Sequence, residues 1–354
     1  MGGVVALGSI GPSPVPRRRG VWLSWHDGTR SRNLARVLGV DFHAFTGFPT
    51  GPLRHVLGAL WTCERLLRLR PTWIVLQNSF LLLLLVIVYK RLAGAVVIVD
   101  CHNKSLERRC RGPLCGLFMA LKRWSFERVD LTMVSNPAML DAARALSSAV
   151  MCLRDPLPRE FSPDPRSESP RIASAPPYVL FPCSFEEDEP VDVIRRAAEL
   201  LGDRRIAAVV TGDDHGAWGA PAERAPLVSR PGFVPFRRYR ELVMNAAVVV
   251  VLTTDERCLM CGAYEALAAA RPLVLSDTPV LRSCFADGAV YVPNDADRIL
   301  EAVAGFVDGP GRPPVQARER FAAAFEQEFR QLLRQLAAFG LPVRAGEDLV
   351  RDPR

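Results

Sequence analysis

The sequence predicts an α/β protein made of two doubly wound, Rossmann-like domains that face each other across a cleft. Three observations lead to this fold class. The chain has 354 residues, which is long enough for two hydrophobic cores. Short apolar segments alternate with longer segments of helical periodicity in both halves, as in a parallel sheet that is covered on both faces. A proline-rich segment separates the two halves.

The first half alternates strands and helices over residues 20–155, and residues 1–19 are expected to be a flexible extension. The first predicted helix ends at Gly39, because glycine readily adopts the left-handed conformation of helix ends. The third strand is apolar until it reaches polar residues near its end. The predicted elements are a strand at 21–25, a helix at 29–39, a strand at 72–78, a helix at 80–92, a strand at 95–103, a helix at 106–126 and a strand at 130–136.

The segment 156–177 is predicted to be a linker. It contains seven prolines in 22 residues, and proline is excluded from helix interiors and central strands. The alternation resumes over residues 178–313, a final helix covers 314–340, and residues 341–354 are predicted to be a loose tail. The elements of the second half are a strand at 178–184, a helix at 191–201, a strand at 206–213, a helix at 236–246, a strand at 247–254, a helix from about residue 259 and a strand at 270–277. The apolar positions of the final helix form one stripe: Phe321, Phe325, Phe329, Leu332 and Leu336.

Charge is distributed unevenly along the chain. The net charge is +7, with +11 on residues 1–170 and −4 on residues 171–354. A basic face attracts phosphate groups, nucleic acid or an anionic membrane, although a solvated surface explains the same charges. The apolar run at 80–88 is too short to span a bilayer as a helix. We expect a buried helix there, with contact at a membrane interface as the alternative.

The nine cysteines show no repeating spacing. Most follow or precede apolar residues, so we expect them to be reduced and mostly buried, as in a cytosolic protein. Cys258 and Cys261 have CxxC spacing, but no second Cys/His pair at a matching distance accompanies them, so we predict no metal site. The basic cluster at 17–19 follows the first apolar piece instead of preceding it, which is not the order of a signal peptide.

The segment LTTDERCLMCGAYEALAAARPLVLSD, residues 252–277, carries the main functional prediction. A buried strand should point its carboxyl end into the cleft, where α/β proteins bind ligands. Gly262 and Ala263, at the start of the next helix, allow a ligand to approach the backbone, and the free N–H groups there favour a diphosphate. Glu265 is placed to accept hydrogen bonds from both ribose hydroxyls of a nucleotide. The alternative is that Glu265 is only a solvated helix residue.

The segment GAYEALAAARPLVLSD within this stretch resembles the donor-binding segment of GT-B glycosyltransferases. VVTGD (209–213) and PGFVPFRRYRELVMNAAVVVVL (231–252) resemble other segments in the same half of that family. IVDCHN (98–103) is similar to the D-x-H-N segment of the β-mannosyltransferase group that acts on lipid-diphosphate acceptors. The resemblance covers most of residues 20–340, in patches.

The resemblance implies that 178–313 is a nucleotide-sugar domain and that 20–155 is an acceptor domain. It implies a donor site made of Glu265, Gly262, Ala263, Ser184, Thr211, Gly212, Asp213 and Glu256.

The chain departs from the family pattern at two places. The family's first Glu corresponds to Arg257, so either a neighbouring carboxylate replaces it or that contact is lost. The Arg and Lys that the family carries after the first strand of its second domain are absent from FPCSFEEDEPVD (181–192). A departing diphosphate needs positive charge, and Arg257, Arg237 and Arg238 are the candidates that supply it.

Two features of the first half predict an acceptor site. His102 ends a strand beside Asp100, so it can act as a base or position an acceptor, or it can be a packed, hydrogen-bonded histidine without chemistry. A glycine loop that opens a helix is a phosphate-binding arrangement, and Gly28, Arg30 and Arg32 suit an acceptor diphosphate. The alternative there is a capped helix start with exposed arginines.

These observations predict a hexosyltransferase of the GT-B type that acts on a nucleotide sugar and an acceptor glycan or lipid-linked glycan. His102 and Arg257 are the catalytic candidates. We expect no cofactor and no metal ion, because helix ends and arginines supply the positive charge and no DxD motif lies in a suitable loop.

The expected location is the cytoplasm or the inner face of an anionic membrane, and nucleic acid is not expected as a partner. Stereochemistry is open, because the relatives with two glutamates retain configuration and the D-x-H-N group inverts it. Two alternatives remain: a catalytically impaired partner subunit and a nucleotide-sugar epimerase.

Overall fold

The first half of the chain forms one six-stranded parallel sheet with helices on both faces. The computed structural model describes residues 19–47, 51–102, 106, 115–163, 177–214, 216, 218, 227–308 and 314–342. The sheet order is β2-β1-β3-β4-β5-β6. Its elements are β1 (Gly20–Ser24), α1 (Thr29–Leu38), β2 (Asp41–Ala44), α2 (Pro52–Leu69), β3 (Trp73–Gln77), α3 (Phe80–Ala93), β4 (Val96–Cys101), α4 (Cys115–Phe126), β5 (Leu131–Val134), α5 (Leu140–Arg144) and β6 (Val150–Cys152).

The second half repeats this plan with a second six-stranded parallel sheet, in the order β12-β11-β10-β7-β8-β9. Its elements are β7 (Tyr178–Pro182), α6 (Val191–Asp203), β8 (Ala207–Thr211), β9 (Val228–Gly232), α7 (Phe236–Asn245), β10 (Val248–Val251), α8 (Cys261–Ala268), β11 (Leu273–Ser276), α9 (Pro279–Phe285), β12 (Val290–Val292), α10 (Ala296–Val307) and the long helix α11 (Val315–Ala338). The predicted fold class is confirmed.

Each strand and helix predicted from the sequence is present, apart from a part of one helix. The helix predicted at 106–126 is observed as α4, while residues 107–114 lie outside the described residues. The sequence analysis missed β2, α2, α5, β6, β9, α9, β12 and α10.

Two predicted flexible segments are partly packed. Phe161, inside the predicted linker, is buried in the core of the second half. Leu341, inside the predicted tail, is buried in the core of the first half. The extension at 1–18 and residues 164–176 and 343–354 lie outside the described residues.

The long helix α11 joins the two cores. Near its start, Phe321 packs in the second core. Further along, Phe329, Leu332 and Leu336 pack in the first core, against the sheet face that α1 also covers. Glu328 of α11 also pairs with the guanidinium of Arg154, which follows β6, at 2.7 Å. The predicted apolar stripe of α11 therefore packs against both domains and connects them.

The apolar run at 80–88 is a core helix, as predicted. Leu82, Leu83, Val86 and Ile87 of α3 are fully buried against the first sheet. Among the described residues, no helix combines the length and the apolar character that crossing a bilayer requires.

The prediction for the cysteines is partly wrong. Cys115 is disulfide-bonded, and Cys63 and Cys261 are exposed. Cys101, Cys183 and Cys284 are free and buried, as expected.

Candidate functional site

A pocket of about 590 Å³ lies at the carboxyl edge of the second sheet. Loops after β7, β8, β9 and β10 form its walls, together with the first turns of α7 and α8. Parallel strands place their following loops at one edge, so residues far apart in sequence meet here. Of the predicted donor residues, four line the pocket besides Glu265: Ser184, Thr211, Gly212 and Gly262.

Glu265 is a half-buried residue of this pocket, with its carboxylate bonded to a neighbouring helix. It lies on the second turn of α8, and the Tyr239 hydroxyl of α7 donates a hydrogen bond to its Oε2 at 2.5 Å. Burial raises the pKa of the Glu265 carboxyl, and the hydrogen bond from Tyr239 offsets part of that rise. The carboxylate is therefore held in one orientation at the base of the pocket, with acceptor capacity to spare.

The start of α8 offers backbone donors to the same space. Met260 precedes the helix without a side-chain capping bond, so no side chain caps the N–H groups of Cys261 and Gly262, while the Ala263 N–H donates to the Met260 carbonyl at 3.1 Å. A Cβ on Gly262 would lie 3.3 Å from Pro182 and Val251, and the glycine lets the helix start approach β7 and β10 closely. Ala263 is fully buried in the core and does not line the pocket, which differs from its predicted role.

The turn after β8 requires a glycine. Gly212 has φ +109, and a Cβ there would lie 1.9 Å from the Cys183 carbonyl oxygen. Thr211 is buried, and its carbonyl accepts a hydrogen bond from the Cys183 N–H at 3.2 Å. This contact fixes the loop after β7 against the loop after β8. Asp213 follows the turn but does not line the pocket.

The loop after β7 is organised around the Glu189 carboxylate. Backbone N–H groups of Ser184 and Phe185 donate to it at 2.9 and 2.6 Å, and the Ser184 hydroxyl donates at 3.0 Å. The Cys183 thiol donates as well, at 2.9 Å. Burial, followed by the hydrogen bond and the charge of Glu189, raises the pKa of the Cys183 thiol. The donors of this loop are thus satisfied by the chain's own carboxylate.

The pocket is acidic. Asp188, Glu189 and Glu265 line it, and none of its described lining residues is a lysine or an arginine. Arg237 and Arg238, two of the predicted cations, are exposed on α7 and pair with Glu241 at 3.5 and 3.3 Å. These two arginines are therefore engaged outside the pocket.

Arg257 lies in the loop between β10 and α8, which touches the first domain. Its N–H donates to the Asp255 carboxylate at 3.0 Å, and its carbonyl accepts from the Asn136 side chain at 3.3 Å. Asn136 is fully buried just after β5. Arg257 and Glu256 are both exposed and do not line the pocket. Asp188 secures the same loop, since its carbonyl accepts from the Thr254 N–H at 2.6 Å.

The carboxyl edge of the first sheet carries a polar relay. The Ser24 hydroxyl donates to the Gln77 side-chain oxygen, and the Gln77 amide nitrogen lies 2.9 Å from His102 Nε2. The pKa of nearby His26 is lowered by burial, then by Arg54 and His102. The structure thus brings His102, just after β4, next to Gln77 at the end of β3 and near His26 after β1.

The predicted acceptor residues lie at the start of α1. Gly28 precedes the helix, and a Cβ added there would meet no atom within 4 Å. Arg32 is exposed and pairs with Asp27. Gly28 therefore borders open space, and the first turns of α1 carry one exposed arginine, Arg32.

Arg30 was predicted to bind an acceptor diphosphate, but the structure places it in buried ion pairs. Its guanidinium is buried and pairs with Asp100 at 2.7 Å and also with Asp155. Burial alone would lower its pKa, but the charges of Asp100 and Asp155 outweigh it and the pKa is raised. The guanidinium is engaged with the chain's own carboxylates, and for this reason we assign Arg30 to the fold and not to an acceptor site.

Sequence reasoning missed three residues that shape these sites. Tyr239 holds Glu265, Glu189 organises the loop after β7, and Gln77 contacts His102. A signal for Tyr239 existed, because it shares the apolar face of α7 with Leu242 and Val243.

No protein-family model matches the chain, and no curated protein matches it. Solved structures do match. The Anabaena protein HepE, in complex with UDP, superposes with a TM-score of 0.63 at 11% identity, over 90% of this chain and 100% of that one. Sucrose-phosphate synthase from Thermosynechococcus elongatus gives 0.70 at 14% identity, over 91% and 100%.

A trehalose-phosphate synthase from Burkholderia xenovorans gives a TM-score of 0.65 at 13% identity, over 89% of this chain and 100% of that one. At these identities the likeness concerns the fold. Together with the two sheets and their order, it shows that the chain has the GT-B fold of these glycosyltransferases.

Proposed function

We propose that the protein is a glycosyltransferase that moves a hexose from a nucleotide sugar to an acceptor glycan or lipid-linked glycan. One observation carries the proposal. Glu265 is held by Tyr239 at the base of a pocket at the carboxyl edge of the second sheet, beside the start of α8. A fixed carboxylate next to free helix N–H groups suits a ribose that is joined to a diphosphate.

The donor is proposed to lie along this pocket. The carboxylate of Glu265 accepts hydrogen bonds from the ribose hydroxyls, and the α8 N–H groups near Gly262 face the diphosphate. Ser184 and the Thr211–Gly212 turn border the same space. HepE has been crystallised with UDP-glucose, so a uridine donor is the first choice for this chain.

The acceptor is proposed to approach from the first domain. Gly28 leaves room at the edge of the first sheet. Arg32 lies beside it, and an acceptor phosphate would compete with Asp27 for its exposed guanidinium. His102 accepts the proton of the acceptor hydroxyl as that oxygen forms a bond to the anomeric carbon. The bond from the anomeric carbon to the diphosphate breaks, and the nucleotide leaves. Arg257 is the cation of the nearby loop that we propose for the departing charge, without a metal ion.

A second candidate is a GT-B protein that binds a partner and has lost transfer activity. It is favoured by the three carboxylates in the pocket and by Glu189, whose carboxylate occupies the N–H groups of Ser184 and Phe185. An anion placed there would meet a like charge, which is unfavourable at short range.

Incubation with UDP-hexoses and GDP-hexoses, with and without a lipid-diphosphate acceptor, separates these functions. The proposal predicts nucleotide release that requires acceptor and is lost in Glu265→Ala. Isomerised donor without acceptor would identify an epimerase instead. Nucleotide binding without any turnover across the panel would favour the partner subunit.

A further inference from the structure

The outer face of α2 exposes a row of apolar side chains, here called the α2 stripe. Leu53, Val56, Leu60 and Leu67 are 65%, 56%, 63% and 71% exposed, and Cys63 is exposed between them. Their spacings of three and four residues place all five on one side of the helix. The stripe is about 21 Å long at 1.5 Å per residue.

The α2 stripe is separate from the face that holds α2 on the domain. Gly58, Thr62 and Leu66 face inward, and Thr62 accepts a hydrogen bond from the Trp25 ring nitrogen at 3.0 Å. A Cβ on Gly58 would lie 3.0 Å from the Trp25 ring. The helix is therefore fixed by its inner side, and the stripe has no packing role in the described part of the chain.

Neighbouring helices extend the apolar surface. The helices α2, α3 and α4 pack side by side on one face of the first sheet. Leu92 of α3 and Leu117 of α4 are 84% and 60% exposed, and Val88 and Met119 are also exposed. Of the large exposed apolar residues among the described ones, most lie on this helical layer. Several exposed apolar side chains on adjacent helices mark an interaction site.

The charge of the same layer indicates what covers it. Within their bounds α2, α3 and α4 carry seven lysine or arginine residues and one acidic residue, Glu64. Arg68, Arg91 and Arg123 are exposed. Arg68 and Arg123 form exposed pairs with Glu64 and Glu127, and the layer still carries more positive than negative charge. Apolar side chains flanked by arginines are the composition of surfaces that bind anionic bilayers. A second copy of the chain would instead bring two positive faces together.

We infer that the outer face of α2, with the exposed ends of α3 and α4, docks on an anionic lipid surface. The leucines of the α2 stripe enter the boundary of the acyl chains, and the arginines contact the lipid phosphates. The surface lies close to the edge that carries His26, because the Arg54 guanidinium of α2 donates to the Trp25 carbonyl at 2.6 Å. The inference rests on this surface alone and does not require the proposed transfer reaction.

Vesicle sedimentation tests the inference without nucleotide or acceptor. The full chain is mixed with vesicles of phosphatidylcholine, with or without phosphatidylglycerol. The test variant is Leu53→Ser, Leu60→Ser and Leu67→Ser together, whose exposed positions leave the core intact. The matched control replaces three exposed apolar residues of the second domain: Leu227→Ser, Val290→Ser and Val315→Ser. Circular dichroism checks that both variants are folded.

We expect wild type and control to bind phosphatidylglycerol vesicles, less at high salt, and the α2 variant to bind at least about tenfold more weakly. Absence of wild-type binding, or equal binding by the α2 variant, overturns the inference. Equal binding to pure phosphatidylcholine also overturns it, because the arginines would then have no role. If the wild type is a dimer without lipid and the α2 variant is a monomer, the surface binds a second copy of the chain and the inference is wrong.

Discussion

The carboxyl edges of the two sheets carry different kinds of side chains. In the second domain the edge forms a pocket of about 590 Å³ that is lined by carboxylates. In the first domain the edge carries His26, His102 and Gln77. Arg30, which also lies there, is buried and forms ion pairs with Asp100 and Asp155. Both edges follow from the same β–α alternation, so the fold alone does not decide what an edge binds.

The comparison shows that a charged residue in a suitable loop is not necessarily available to a ligand. Arg30 follows a glycine at a helix start, which is a phosphate-binding pattern, yet Asp100 and Asp155 occupy its guanidinium. In the second domain the charges are reversed. The Glu189 carboxylate accepts the hydrogen bonds of the Ser184 and Phe185 N–H groups, which could otherwise bind an anionic ligand. Function at either edge depends on which groups remain free after the chain has satisfied its own.

The largest expected effect is on stability and concerns Arg30. Arg30→Met leaves the buried Asp100 carboxylate without its partner, which we expect to cost about 3–5 kcal/mol in the free energy of unfolding. The control is Arg32→Met, which removes an exposed pair with Asp27 and should cost less than about 1 kcal/mol. Urea unfolding measures both. Equal, small losses would show that Arg30 is not a structural residue.

The second prediction concerns His102, which is proposed to act on the acceptor and not on the nucleotide. His102→Ala should lower turnover about a hundredfold or more, the usual contribution of a general base. Affinity for the nucleotide should stay unchanged, because His102 belongs to the first domain. His55→Ala, on α2, is the control. A loss of nucleotide affinity in His102→Ala, with turnover intact, would contradict the assignment of His102 to the acceptor side.

The third prediction concerns the occupied donors of the second domain. Glu189→Gln removes one negative charge beside the N–H groups of Ser184 and Phe185. We expect a nucleoside diphosphate to bind about tenfold more tightly, as for one hydrogen bond to a charged group. Glu187→Gln, at an exposed position of the same loop, is the control. Calorimetry showing weaker binding in Glu189→Gln would mean that Glu189 itself contacts the ligand.

The smallest expected effect is a pH dependence. Burial raises the pKa of Glu265 in the folded protein above its value in the unfolded chain. The folded state therefore binds more protons between these two pKa values, and stability falls as pH rises through that window. Glu265→Gln should remove this fall. Nucleotide affinity should change in the opposite direction, rising with pH as the carboxylate forms. Unfolding and titration series from pH 4 to 7 compare the two trends.

The sequence was sufficient to predict the eight central strands of the two sheets and the helix that carries Glu265, but not the edge strands β2, β6, β9 and β12 or the partners of the site residues. Strands such as Val248–Val251 are continuously apolar, so a parallel sheet with two covered faces followed directly. Helix α2 was missed because large apolar residues lie on both of its sides: Leu66 packs in the core, whereas Leu60 and Leu67 are exposed, so no single apolar face marks the helix.

Partners could not be predicted because they are distant in sequence. Asp155 lies far from Arg30 along the chain, and Tyr239 and Glu265 belong to different helices. Only the packing of strands and helices brings these groups together. A periodicity identifies the element that carries a residue, whereas its hydrogen-bond partners depend on the tertiary arrangement.

The pocket around Glu265 is proposed to bind a nucleotide. Calorimetric titration of UDP and GDP into wild type, Glu265→Ala and the control Glu241→Ala tests it most directly. We predict that wild type and the control bind one of the two nucleotides, and that Glu265→Ala loses about 1.5–3 kcal/mol of binding free energy. If wild type binds neither nucleotide, or if Glu265→Ala binds as tightly as wild type, the claim is wrong.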